Sequence, residues 1–162
     1  MPEVDVRQVA PRPFAAVQRT SSRADIPRVL LPGLDVVWAA VRSHAGGPLG
    51  HNIALYRELG DDRVEFLCGV EVGPPFEDVG EVSLHWTPAG TVIHARHAGG
   101  PEHLLDTYGS LHLWLREHGS PPVERYWEDY DDVDERGSIL GIDVFMLLPE
   151  GVPGPDGVTR TT

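Results

Sequence analysis

The segment PPVERYWEDYDDVDE (121–135) sets Glu124 two residues from Tyr126 and three from Trp127, then runs into an acidic cluster. On a strand, Glu124 and Tyr126 share one face and Arg125 and Trp127 the other. A carboxylate among aromatic rings suits a delocalised or quaternary cation. Each ring face adds about 0.5–2 kcal/mol of cation–π attraction, and the carboxylate charge is little screened once water is excluded. The same groups could also do chemistry. A desolvated Glu is a general base toward water, and a Tyr hydroxyl can donate to a developing oxyanion. The acidic run itself lacks the Gly and the ligand spacing of a calcium loop. It reads as the end of a strand followed by a solvated hairpin.

The 162 residues suggest one domain, spanning 1–150, with enough chain to bury a core. The tail GVPGPDGVTRTT (151–162) reads as disordered. No apolar run approaches the ~20 residues of a membrane span, and the N-terminus has no secretory pattern. With a single cysteine, Cys68, no intrachain disulfide can form, which fits a cytoplasmic location. The net charge is −12, and all 13 basic residues are Arg. Such a chain is a poor partner for nucleic-acid phosphates and a better one for cationic small molecules.

The elements that would position these residues are written twice. VDVRQVAPRPFAAVQR (4–19) parallels VSLHWTPAGTVIHAR (82–96). Each half then carries an amphipathic helix, one with Leu30, Leu34, Val37, Trp38 and Val41, the other with Leu104, Leu105, Tyr108, Leu111 and Leu115. Pro101 suits the first turn of the second helix and Gly119 its stop. Trp38 and Trp114 fall at matching helical places. A Gly/Pro turn leads in each half to a tyrosine-bearing strand, NIALYREL (52–59) and VERYWEDY (123–130), which makes Tyr56 the counterpart of Tyr126. The closing strands match residue by residue. Val64, Phe66, Cys68 and Val70 correspond to Ile142, Val144, Met146 and Leu148, and this alternating set should face the helices. Glu65 and Leu67 correspond to Asp143 and Phe145 on the opposite face. The fold expected is α+β: two β-α-β-β repeats, about 3–76 and 80–149, related by a pseudo-twofold axis. One antiparallel-rich sheet would carry both helices on one face and a ligand groove between the repeats on the other.

This order resembles the GyrI-like small-molecule-binding domain, the effector-binding module of multidrug-responsive transcription activators. The segment 121–135 is similar to the family's Pro-apolar-Glu-x-Tyr-acidic pattern, and GIDVFMLLP (141–149) resembles its closing strand. Asp143 stands where Glu is common, and Leu147 where Pro is common. HNIALYRELGDDRVEFLCGVEVG (51–73) is similar to the first-half counterpart. The resemblance covers roughly 3–149 and implies an acidic, aromatic pocket for amphipathic, often cationic, molecules, used for sensing or sequestration. Glu124 and Tyr126 match the motif directly. Tyr56, Trp38, Trp114, Glu65, Asp143 and Phe145 follow from the repeat, and His112 lies near Trp114 on the second helix. Strand pattern begins at Val4 with no helix-turn-helix before it, so a stand-alone module is expected, without direct DNA contact and with any partner regulator unidentified.

The resemblance also implies a second activity, hydrolysis of strained electrophiles such as cyclopropane-bearing alkylating agents. Glu124 or Glu65 would then be the base and Tyr126 or Tyr56 the donor. No metal or cofactor is expected. His94 and His97 in HARH fall on opposite faces of a strand, with no cysteine beside them. Haem-binding proteins of the SOUL type share the architecture, but no ligand motif for haem is present. Cys68 reads as a core residue. Incubation with a cyclopropane-bearing alkylator, followed by mass, separates the two activities. Recovery of the compound intact marks a binder, and many turnovers per chain mark a hydrolase.

Overall fold

The computed structural model describes residues 2–44, 46–132 and 134–149. The expected tail, 151–162, lies outside them. The architecture is α+β with antiparallel strands and two helices. In chain order the elements are β1 (Val4–Val9), β2 (Pro13–Ser22), α1 (Ile26–Val41), β3 (Pro48–Gly60), β4 (Arg63–Val72), β5 (Ser83–Trp86), β6 (Gly90–Ala98), α2 (Leu104–Glu117), β7 (Arg125–Tyr130) and β8 (Gly141–Leu147). Among the described residues, no helix is long and apolar enough to cross a membrane.

The chain forms two compact units, residues 11–87 and residues 2–10 with 88–149. Each contains the order β-α-β-β. Each also takes its fourth strand from just outside that order. In the first unit the strands lie β3-β4-β2-β5, and in the second β1-β6-β8-β7. The leading strand of each half therefore does not turn back on its successor. β1 pairs with β6, Val4 opposite Ala95, and β5 pairs with β2, Trp86 opposite Pro13. Pro11 and Pro88 stand at the corners, where a residue without an N–H suits a chain leaving a ladder better than one re-entering it.

In the 11–87 unit, alternation sends Val64, Phe66, Cys68 and Val70 of β4 toward α1, and all are buried. Ala15 and Val17 of β2 join them, opposite Val70 and Cys68. The helix answers with Val37, Ala40 and Val41. Gly33 allows close approach, since a Cβ there would sit 2.7 Å from the Cys68 sulfur. In the other unit Ile142, Val144 and Met146 of β8, with Ile93 and Ala95 of β6, pack under Leu111 and Leu115 of α2. Gly119 ends α2 with φ +65°, as its position predicts. Pro101 lies outside α2, three residues before its first residue, where its carbonyl accepts from the Leu104 N–H at 3.2 Å.

At Gly69 on β4 the neighbouring backbone leaves no room for a side chain, because a Cβ would fall 1.7 Å from the Ala15 carbonyl oxygen. Backbone cannot yield as a side chain can. Gly69→Ala is expected to destabilise the chain by about 1–3 kcal/mol or more, read as a lower urea midpoint at unchanged slope.

Candidate functional site

Acidic and aromatic side chains meet on the α2 side of β7. Strand alternation sends Tyr126, Glu128 and Tyr130 to that side, opposite the core residues Met146, Val144 and Ile142 of β8. Tyr108 descends from α2 onto the same place. Glu128 is only 5% exposed, and a carboxylate so buried must be hydrogen-bonded. The Tyr108 hydroxyl donates to Oε2 at 2.5 Å, and the Tyr130 hydroxyl donates to Oε1. The Tyr126 ring stands edge-on to Tyr108, centroids 5.9 Å apart at 82°. One turn along α2, the exposed His112 ring lies 6.4 Å from Tyr108. All three tyrosines are half-buried, so ring surface remains available above an enclosed carboxyl group.

The opposite face of the same unit has different chemistry. His94, 3% exposed, directs Nδ1 to Asp5 Oδ2 at 3.1 Å and Nε2 to Asp143 Oδ1 at 2.6 Å. Arg96 donates to Asp143 Oδ2 at 2.9 Å and pairs with Asp131. Phe145 packs on His94, centroids 4.9 Å apart, and stacks on Trp127 at 5.3 Å and 17°. Desolvation works against ionisation of Asp143, but the His94 hydrogen bond and the charges of His94 and Arg96 outweigh it and hold its carboxyl below the ordinary value. Asp5 behaves likewise: desolvation is outweighed by hydrogen bonds from His94 and Arg7.

The remaining sequence-based candidates are dispersed. Glu124 is exposed, in a bend one residue before β7 begins. The sequence reading put Tyr56 and Tyr126 on a groove across the sheet from the helices. The register instead turns each toward its own helix, Tyr56 opposite Phe66 and Tyr126 opposite Met146. Tyr56 is 3% exposed, its ring 5.5 Å from Phe66. Trp38 donates its indole N–H to Asn52 Oδ1 at 2.9 Å. Glu65 pairs with Arg57 at 3.2 Å. Trp114 is half-buried and stacked on His118. The sheet thus separates Asp143 and Phe145 from Tyr126.

In the sequence, Glu128 and Tyr130 open an acidic run that reads as the end of a strand and a solvated hairpin. The available signal was the alternation Tyr-x-Glu-x-Tyr over 126–130, with Tyr108 one helix away. His94 and His97 do fall on opposite faces. His97 Nδ1 meets the Thr107 hydroxyl at 2.8 Å under α2. Cys68 is fully buried, and burial pushes its thiol up to about 11, which makes it a core residue rather than a nucleophile. Among the described residues no group of three or more His, Cys, Asp or Glu side chains is arranged to hold a metal ion.

No family model matches the chain, and no curated protein matches it. Solved structures do. The C-terminal domain of EcmrR is 14% identical with a TM-score of 0.70, over 92% of this chain and 98% of that one. The chain shares the fold of that domain. SAV2435 bound to tetraphenylphosphonium is 14% identical to this chain, TM-score 0.66, over 91% and 94%. A hydrolase encoded by lin2189 from Listeria innocua is 10% identical, TM-score 0.56, over 91% and 92%. At these identities the likeness is one of fold.

The Asp5–His94–Asp143 network has a predictable acid response. Both carboxyls titrate lower in the folded chain than in the unfolded one, so the unfolded chain binds more protons as the pH falls. The contribution is complete above the unfolded carboxylate range, about pH 4–5. It is lost as the pH drops through the lower folded values. Urea midpoints measured from pH 6 to pH 3 should fall, and Asp143→Asn should flatten that slope.

Proposed function

We propose that this GyrI-like chain binds a lipophilic organic cation at the Glu128 cluster, for sensing or sequestration. The observation that carries the reading is a buried carboxylate with both oxygens accepting tyrosine hydroxyls, beneath three half-exposed rings. Such a carboxylate offers charge rather than a vacant directional acceptor. It therefore favours cations whose charge is spread over apolar surface and which donate no hydrogen bond. Tyr108, Tyr126 and Tyr130 supply ring surface for cation–π contact. The net charge of −12 raises the local concentration of cations. The tetraphenylphosphonium held by SAV2435, on the same fold, supports this ligand class. Glu124, exposed before β7, would act at most from the rim, and the reading rests on none of Tyr56, Trp38 or Glu65.

A second reading uses the same groups. Glu128 as general base and a tyrosine hydroxyl as donor could hydrolyse a strained electrophile, and the Listeria hydrolase shares the fold. Substrate turnover that disappears in Glu128→Gln would favour it over simple binding.

Titration with tetraphenylphosphonium, followed by calorimetry, tests the primary reading. Glu128→Gln should weaken binding at least tenfold, about 1.4 kcal/mol, from loss of a desolvated charge partner. Glu124→Gln should change it by no more than about twofold, as an exposed charge does. Equal affinity in wild type and Glu128→Gln would remove Glu128 from the site.

A further inference from the structure

β1 stands at one end of the strand order. It pairs with β6, and no other strand adjoins it among the described residues. Its outer side therefore presents backbone N–H and C=O groups to whatever lies beside it. The ladder with β6 runs from Val4 to Val9 without a register shift, so this edge is regular along its whole length. Alternation puts Asp5 and Arg7 on one face of β1 and Val4, Val6 and Gln8 on the other. Val4 and Val6 are half-buried against the core under α2. Asp5 and Arg7 pair along the strand, Nε to Oδ1 at 2.7 Å, and both side chains remain substantially exposed. The other Asp5 oxygen meets His94 Nδ1 at 3.1 Å, which fixes the carboxylate in place. Edges that repel partners commonly carry like charges or a proline. Val4–Val9 has no proline, and its two charges have opposite signs.

We propose that the outer edge of β1 is an interface for a second copy of this chain, pairing β1 antiparallel to β1 about a twofold axis at Val6. Charge selects this register among the three central ones. An axis at Asp5 would set Asp5 directly against itself, and an axis at Arg7 would set Arg7 against itself. Like charges directly opposite are destabilising, and opposite charges are stabilising. An axis at Val6 sets Asp5 opposite Arg7 of the second copy, and Arg7 opposite the Asp5 of the second copy. The four charges then alternate around a closed rectangle, each beside its opposite along its own strand and across to the other. On the helix side, Val6 meets Val6 of the second copy and extends the half-buried row under α2. Pro2, Leu113 and Trp114, which border Val4, add apolar surface beside the same edge. The net charge of −12 on each chain opposes association, so the pairing depends on concentration rather than being obligate. Asp5 and Arg7 lie outside the Glu128 cluster, so this interface and the ligand reading stand or fall separately.

Sedimentation equilibrium of the full chain tests this, run from micromolar to millimolar protein in about 0.15 M salt, where charges are screened over about 8 Å. The mean mass should rise from 17.8 kDa toward twice that value. Arg7→Glu, a change at an exposed residue, sets like charges opposite each other and should weaken association at least tenfold. Oxidation of Val6→Cys should give a disulfide-linked dimer, because opposite Cα atoms lie about 4.5–5.5 Å apart, within the span of a disulfide. Gln8→Cys should not link to itself, because its two copies would lie about 13 Å apart along the strands. The native Cys68 is fully buried and does not compete. A single-chain mass at millimolar concentration would overturn the proposal. If β1 amides were protected from exchange in that monomer, another segment of the chain would be the occupant of the edge. A dimer that Arg7→Glu leaves intact would also overturn it, as would one that Gln8→Cys links as readily as Val6→Cys.

Discussion

Leu111 and Leu115 of α2 close over Ile93, Val144 and Met146, and the position of every other group in that unit follows from the contact. The apolar residues must lie under the helix, because burial of each contributes roughly 1.5–3 kcal/mol. Strand alternation then leaves no freedom in the rest. Tyr126, Glu128 and Tyr130 come to the helix side because their partners on β8 are the core residues. Asp143 and Phe145 go to the other side for the same reason. The 11–87 unit obeys the same constraint with Val37 and Val41 over Phe66 and Cys68.

The two faces of one small sheet therefore carry two kinds of carboxylate. Glu128 is enclosed and accepts the hydroxyls of Tyr108 and Tyr130. Asp143 is satisfied by His94 and Arg96, which are able to carry the opposite charge. A carboxylate already paired to a guanidinium has little attraction left for an external cation. The tyrosine side of β7 differs from the other face in presenting half-buried phenol rings around its carboxyl group.

The α2 helix serves both flanks of its unit at once. Tyr108 and His112 lie toward β7, whereas Ser110, Trp114 and Glu117 lie toward β1. This follows from 3.6 residues per turn, with Leu111 and Leu115 as the central stripe. A short helix with one buried stripe has two semi-exposed shoulders, and here each shoulder brings an aromatic ring.

Much of the fold was legible in the chain. The closing strands, Val64 to Val70 and Ile142 to Leu148, announce their buried faces by alternation alone, and all eight residues are buried. The helices, the Gly119 stop and the β-α-β-β order follow from local periodicity, which a linear sequence records directly. The exchange of leading strands, with β1 joining β6 and β5 joining β2, was not legible, because pairing between strands of similar pattern is a choice among long-range partners. The site was legible only in type. Acidic and aromatic residues around 121–135 pointed to a cation, but Glu124 is exposed just before β7, whereas Glu128 is buried within it. Only the tertiary structure selected Glu128, because what distinguishes it from its acidic neighbours is a hydroxyl on a helix 20 residues away in sequence, and burial of a charge is a property of what surrounds it.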